Sequence, residues 1–190
     1  MFICLFIIDD LINYFERLPG IGPKTAQRLV FNLLSFPDRE LKDFGNLLGS
    51  LKDKIGLCEV CKNISEENLC KICQDSSRDK RQILVVSSPL DVIALEKTGY
   101  KGTYHVLHGL IDPLSYIGPE DIYLVDLIKR VEELVSTKFT PVEVVLATSA
   151  GMEGESTANF IHDALRERKF PKELVKITRI GRGLPVGGDI

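Results

Sequence analysis

Four cysteines lie close together between residues 58 and 73, in the spacing C-x2-C-x8-C-x2-C. Two intervening residues let both thiolates of a pair turn toward one ion, and paired thiolates of this kind are typical zinc ligands. We therefore predict that one zinc ion is held by Cys58, Cys61, Cys70 and Cys73. A site closed by four protein ligands is structural rather than catalytic.

The residues between the two pairs, 62–69, are polar and turn-prone, so metal binding would have to supply the folding energy of this segment. The alternatives are two disulfides or separate buried thiols. Disulfides belong mainly to exported proteins. The apolar start of the chain, residues 1–8, is too short to span a bilayer and lacks a basic lead-in or a cleavage site. These features favour zinc and a cytoplasmic protein without a membrane partner.

A second motif, Leu-Pro-Gly-Ile-Gly-Pro at residues 18–23, interrupts a helical pattern that runs from residue 9 to about residue 56. Such a turn predicts a helix–hairpin–helix connection. Gly20 and Gly22 would allow backbone angles that other residues resist, and Pro23 suits the first turn of the second helix.

The N–H groups at the start of that second helix would form an anion site suited to a phosphate. Lys24 and Arg28 lie four residues apart and hence on one helix face, where they would extend the site along a nucleic-acid backbone without reading bases. The alternative is an ordinary corner between two helices with solvated basic residues. The net charge of −3 argues against nonspecific coating of DNA by the whole chain.

From Gln82 onward, short apolar runs alternate with helical stretches, which predicts a parallel sheet covered on both faces. The predicted strands are residues 83–86, 103–107, 142–147 and 175–180, and the predicted helices are residues 90–97, 122–134 and 157–168. The expected fold class is therefore α/β with several modules. We expect a helix–hairpin–helix region at residues 1–56, a four-cysteine zinc finger at 57–80 and a parallel-sheet domain at 81–190.

Several stretches carry a resemblance to one family. They are L-P-G-I-G-P-K-T-A-Q-R-L at 18–29, the cysteine segment, A-L-E-K-T-G at 94–99, Y-H-V-L-H-G at 104–109, I-G-P-E-D-I at 117–122, M-E-G-E-S-T-A at 152–158 and G-R-G-L-P-V-G-G at 181–188. In this order the chain resembles the RecR family of bacterial recombination mediators. The resemblance implies a helix–hairpin–helix, a zinc finger and a Toprim domain. It also implies a ring-like homotetramer that clamps DNA and, with RecO and RecF, helps RecA replace single-strand-binding protein.

The expected Toprim domain departs from Toprim enzymes at one position. Those enzymes place a catalytic glutamate just after the first strand, whereas this chain has Ser87 and Ser88, and a hydroxyl cannot replace a carboxylate as acid–base or magnesium ligand. Glu153 and Glu155 could still gather a weak divalent ion or a partner, or simply form a charged helix N-terminus. We predict a scaffold without catalysis. The alternatives are a magnesium-dependent nuclease or topoisomerase-related enzyme, and an adaptor that binds only proteins.

The remaining candidates lie near the end of the chain. The glycine-rich run 181–188, beside Arg179 and Arg182, could cradle phosphates or form a plain loop. Members of the family commonly continue with a further strand and helix beyond this run, whereas the sequence ends at Ile190. The resemblance therefore implies a truncated or short C-terminal segment, which leaves open whether a dimer or a tetramer forms.

Overall fold

The structure, a computed structural model, describes residues 6–138, 141–168, 170–171 and 173–181 of the chain. The chain divides into two compact units, one that ends at Lys54 and one that begins at Ile55. Within the described ranges, no helix is long and apolar enough to cross a membrane.

The first unit contains three helices: α1 at Phe6–Glu16, α2 at Pro23–Leu33 and α3 at Asp38–Lys54. Helices α1 and α2 pack against each other. The buried face of α2 is formed by Ala26 and Val30, which lie four residues apart and so one above the other on the helix. The predicted hairpin between two helices is therefore confirmed.

The two glycines of the hairpin differ in backbone conformation. Gly20 has a φ of +81°, the left-handed region that favours glycine, so the prediction for this residue is confirmed. Gly22 has φ −92° and ψ 172°, an extended conformation that any residue adopts. The prediction that Gly22 supplies an unusual backbone angle is wrong, because the chain has already turned before it reaches the N-cap position of α2.

The second unit begins with a small antiparallel ribbon and continues into a parallel sheet. Its elements are β1 at Gly56–Leu57, β2 at Ile64–Ser65, α4 at Lys71–Gln74, β3 at Asp79–Val86, α5 at Pro89–Glu96, β4 at Gly102–Val106, α6 at Leu124–Lys138, β5 at Val142–Leu146, α7 at Met152–Glu167 and β6 at Val175–Arg179. Strands β1 and β2 pair with each other. The other four strands form one parallel sheet in the order β4-β3-β5-β6. The predicted parallel sheet interleaved with helices is confirmed.

Side chains of β3 alternate between the two faces of the sheet, as the pleat requires. Ile83 and Val85 belong to the core that α6 and α7 cover, whereas Leu84 and Val86 belong to a second core under α5. Burial on both faces explains why the second half of the strand, residues 83–86, is continuously apolar instead of alternating with polar residues. Helix α7 begins at Met152, five residues earlier than the sequence predicted.

Strand β4 lies at an edge of the sheet, yet all five of its residues are buried. Its open side is covered by the cysteine segment, since the Val106 N–H donates to the Cys61 carbonyl over 2.9 Å. An uncovered edge would leave a row of unpaired backbone groups that could pair with another chain. The short cysteine segment therefore supplies a hydrogen-bond partner to one backbone group of this edge strand.

His105, in the middle of β4, is fully buried. Its Nε2–H donates to the Tyr123 carbonyl over 2.8 Å, while Nδ1 has no hydrogen-bond partner. Burial lowers the pKa of His105 to about 4, because a charged imidazolium would lose its hydration there. The folded protein therefore holds this histidine in its neutral form, as a packing residue.

This burial predicts a pH dependence of stability. The ordinary histidine pKa is about 6.5, so between that value and about 4 the unfolded chain binds a proton that the folded chain rejects. We expect the free energy of unfolding to be unaffected by His105 above pH 6.5 and to lose up to about 3 kcal/mol as the pH falls to 4. Urea unfolding across this range measures the effect.

The matched control is His105→Gln, whose amide can still donate to the Tyr123 carbonyl but does not titrate. The variant should show a shallower fall in stability than the natural chain over the same pH range. Parallel curves for the two proteins would contradict the assignment of a buried neutral imidazole.

Candidate metal centre and nucleic-acid interface

The sulfur atoms of Cys58, Cys61, Cys70 and Cys73 lie within 4.8 Å of one another. All four residues are buried, and all four are free thiols rather than disulfides. No other group of three or more potential ligands comes together in this way within the described part of the chain. The predicted convergence of the two cysteine pairs is present, and pairing into two disulfides is not.

Local backbone structure sets this geometry. The β1–β2 ribbon closes around the first pair, where the Cys58 N–H donates to the Asn63 carbonyl over 2.7 Å. Lys62 takes a left-handed φ of +58° directly after Cys61, which turns the chain back toward the ribbon. The second pair brackets the start of α4, and the Cys70 N–H donates to the Cys58 sulfur over 3.3 Å.

The buried sulfur atoms interact strongly with one another. Cys61 Sγ and Cys70 Sγ are 3.5 Å apart. Hydrogen bonds from the thiols of Cys61 and Cys73 lower the pKa of Cys70 to about 2, because they stabilise its thiolate. The reciprocal contact with Cys70, together with burial, raises the pKa of Cys61. The neighbouring thiols therefore stabilise a thiolate on Cys70, and a thiolate is the form of cysteine that binds a metal.

The geometry fits zinc. Zinc–sulfur bonds of about 2.3 Å in a tetrahedron place the sulfur atoms roughly 3.8 Å apart, which is compatible with the spacing of this cluster. Four soft thiolates with no open position match a structural ion. Zinc bound here would fix the two halves of the segment to each other and take no part in a reaction.

Lys62, between the cysteines and the sheet, was not singled out from the sequence. Its carbonyl accepts a 2.6 Å hydrogen bond from His108 Nε2, and its Nζ lies 2.9 Å from Asp126 Oδ1 of α6. The same Nζ lies 5.7 Å from the centre of the Tyr123 ring, a cation–π contact. A lone lysine in a polar loop gives no sequence signal for such contacts, which depend on residues more than 40 positions away.

The hairpin of the first unit presents the features expected of a phosphate site. Helix α2 begins directly after Gly22, and no side chain caps its first N–H groups. The first of its backbone hydrogen bonds runs from the Ala26 N–H to the Gly22 carbonyl over 2.9 Å. Lys24 and Arg28 are exposed on the surface of the helix. Whether these residues contact DNA stays a prediction.

The serines that follow β3 are engaged in local structure. The Ser87 hydroxyl donates to Asp91 Oδ2 over 2.7 Å, and the Ser88 N–H donates to the same oxygen over 2.8 Å. Asp91, three residues into α5, thereby closes a capping arrangement at the start of the helix. The position where Toprim enzymes place a glutamate thus stabilises a helix terminus here.

The two glutamates of α7 have different surroundings. Glu153 lines an open cleft of about 500 Å³ together with Ser87, His108 and Asp112. Glu155 instead forms an ion pair with Arg179 at the end of β6. A weak divalent-ion or partner site at this pair stays a prediction. The glycine-rich run beyond Gly181, with Arg182, lies outside the described residues.

Gly154, between the two glutamates, was also missed by the sequence reasoning. A Cβ at this position would lie 2.2 Å from the Ser149 carbonyl oxygen, closer than any side-chain carbon can approach. The Thr148 hydroxyl donates to the Gly154 carbonyl over 2.8 Å, which fixes the turn between β5 and α7. The motif M-E-G-E therefore contains a packing requirement beside its two charges.

Three family models match successive segments of the chain. The family model described as "RecR, helix-hairpin-helix" matches residues 8–50, "RecR, Cys4-zinc finger domain" matches residues 55–75, and "Toprim domain" matches residues 81–181. The fold and the metal centre thus define a protein that joins a helix–hairpin–helix, a structural zinc finger and a Toprim domain.

A curated relative, the recombination protein RecR of Rippkaea orientalis, is 46% identical over 181 residues, which cover 95% of this chain and 86% of the relative. The chain belongs to the RecR family. The resemblance drawn from the sequence is confirmed, and zinc is the cofactor of the four-cysteine segment.

Loss of a zinc ligand gives a direct test of the centre. We expect Cys61→Ser to reduce bound zinc from one ion per chain to a small fraction, because a hydroxyl is a poor zinc ligand and would leave three thiolates buried together. Limited proteolysis should then cut within residues 55–75. Zinc content measured by atomic emission and cleavage mapped by mass spectrometry give the readouts.

Cys4→Ser is the matched control, since Cys4 lies outside the four-cysteine motif and outside the described residues. This variant should retain its zinc and its resistance to protease. Equal zinc content in the Cys4 and Cys61 variants would contradict the centre.

Proposed function

We propose that this protein is a DNA-binding recombination mediator that holds DNA through its phosphates and, with RecO and RecF, helps RecA replace single-strand-binding protein. The observation that carries the proposal is the uncapped start of α2 beside exposed Lys24 and Arg28, in a chain of the RecR family. Such a protein would act in the cytoplasm on chromosomal DNA.

The physical case for phosphate binding has two parts. The N-terminus of α2 carries a partial positive charge and free N–H donors, because the first turn of a helix has no internal acceptors. Glycine at the N-cap adds no side chain that would compete for those donors. Lys24 and Arg28 lie one turn apart on the same helix and add two full charges. These groups suit a backbone of phosphates and contain nothing that would distinguish bases.

Assembly into a homo-oligomer, a dimer or a tetramer around DNA, belongs to the same proposal. Helix α3 supports this assembly, because it exposes a row of large apolar side chains at helical spacing. They are Leu41, Phe44, Leu48 and Leu51. An apolar stripe of this kind is more often a contact surface than a solvated face. We further propose the predicted boundaries, residues 1–56, 57–80 and 81–190, as the functional modules of each subunit.

The DNA contacts can be tested by removing the two charges. We expect Lys24→Ala/Arg28→Ala to weaken binding to gapped, single-stranded and duplex DNA alike, and to reduce the slope of log affinity against log salt by about 1 to 2. Fluorescence anisotropy over a salt series measures both quantities. Lys52→Ala/Lys54→Ala, in the last turn of α3, changes the net charge equally and should keep the natural slope. Equal slopes in the two double variants would refute the proposed contacts.

The Toprim domain would serve as a scaffold in this mechanism. Ser87 replaces the expected catalytic glutamate and is hydrogen-bonded to Asp91, while Glu155 is paired with Arg179. A phosphoryl-transfer centre would need several carboxylates around one or two metal ions. We therefore expect no cleavage, relaxation or primer synthesis by the purified protein with magnesium or manganese.

A gel assay with supercoiled and gapped DNA tests this expectation. Any trace activity should be the same in the natural protein and in Glu153→Ala, because it would come from contamination. Cleavage that depends on metal and disappears in Glu153→Ala would favour the enzymatic alternative. Absence of any salt-dependent DNA binding would favour the protein-only adaptor.

A further inference from the structure

A zinc ion bound by four thiolates carries a net charge of −2, since each thiolate contributes one negative charge to the divalent ion. The four cysteines are between 0% and 7% exposed, so water reaches this charge poorly. Buried charge is stabilised when an opposite charge or hydrogen-bond donors lie nearby. The surroundings of the cluster should therefore contain a cation that is itself buried.

Arg130 of α6 meets this requirement. It is only 9% exposed, although arginine is rarely buried without a partner. Its Nη1 donates to the Tyr104 carbonyl over 2.6 Å, and its Nη2 donates to the Thr103 hydroxyl over 2.8 Å. Both acceptors are neutral, so these bonds position the guanidinium against β4 without balancing its charge.

Arg130 borders the metal centre. Arg130, Thr103 and Cys73 line one cavity of about 420 Å³ between the cysteine segment and α6. Burial lowers the pKa of Arg130, whereas negative charge on each of the four cysteines acts in the opposite direction. Arginine keeps its proton in proteins, so the positive charge is present at this wall of the cavity.

Three other charged groups lie near the cysteine cluster. Lys62 follows Cys61 directly, but its ammonium is paired with Asp126 on α6. Glu133 lines the same cavity as Arg130 and could take part in balancing the guanidinium. Lys80 lines the cavity as well, but it is exposed. Among the residues that the structure describes, Arg130 is therefore the buried cation that borders the cysteine cluster.

We propose that Arg130 is the counter-charge of the zinc–thiolate centre, and that it couples zinc binding to the stability of the Toprim sheet. The guanidinium donates to two groups of edge strand β4, and the residue lines the same cavity as Cys73. The inference rests on the zinc cofactor and is independent of the proposed DNA binding.

The first test measures zinc affinity by competition with a chromophoric chelator. We expect Arg130→Gln to weaken zinc binding by about 10- to 100-fold, the usual effect of removing a group that supports metal ligands. Arg130→Lys keeps the charge and should stay within a few-fold of the natural chain. Glu133→Gln, which changes the same cavity without removing the cation, should not weaken zinc binding.

A folded Arg130→Gln protein with natural zinc affinity would overturn the proposal. A loss in Arg130→Lys of ten-fold or more would also overturn it, because that variant retains the charge. This second comparison remains decisive if Arg130→Gln fails to fold. Cobalt substitution adds a spectroscopic readout, since intact thiolate-to-cobalt bands report whether all four sulfurs still bind.

The second test measures the coupling. In the natural chain, zinc removal should lower the thermal unfolding midpoint of the Toprim domain, because the negative charge beside the buried Arg130 then decreases. In Arg130→Met the buried cation is absent, so zinc removal should lower the midpoint by clearly less. Equal decreases in the two proteins would show that zinc and Arg130 act independently and would refute the coupling.

Discussion

The second unit depends on the contact between the cysteine segment and the edge strand β4. A parallel sheet is stable when both faces are packed and the backbone groups along its edges are protected. Here the cysteine segment lies along one edge, where the Val106 N–H donates to the Cys61 carbonyl. The segment is too small and too polar to hold that position by apolar packing alone. Zinc supplies the missing rigidity, because four bonds to one ion replace a core.

Several polar side chains lie near this contact, and each forms a hydrogen bond or an ion pair with an element that is distant in sequence. His105 donates to the Tyr123 carbonyl, Lys62 reaches Asp126, and Arg130 reaches β4. Buried polar groups of this kind contribute little net free energy, but they penalise any other arrangement of the same elements. The Lys62 contact helps to fix the position of the zinc finger on the Toprim domain, and the other two fix α6 and the residues before it against β4.

Function is distributed over the two units in different ways. The first unit offers an uncapped helix terminus and exposed cations, which suit a polyanion. The second unit uses the strand ends of a Toprim sheet, where enzymes of this fold hold metal, for helix capping by Asp91 and for an ion pair between Glu155 and Arg179. The chemistry of both units agrees with a recombination mediator of the RecR family.

The sequence alone determined the cysteine spacing, the hairpin turn, the alternation of strands and helices, and the family, because each of these is written in residues close together along the chain. It also located the four cysteines of the metal centre, whereas the role of Lys24 and Arg28 stays a prediction. It erred on Gly22, since φ and ψ depend on where the turn ends, and it placed the start of α7 too late. Only the tertiary structure revealed Arg130, Lys62 and Gly154 as structural determinants. Arg130 and Lys62 act through contacts with residues that are distant in sequence, and Gly154 is required because a Cβ there would lie 2.2 Å from the Ser149 carbonyl oxygen. Neither kind of constraint leaves a pattern in the order of residues.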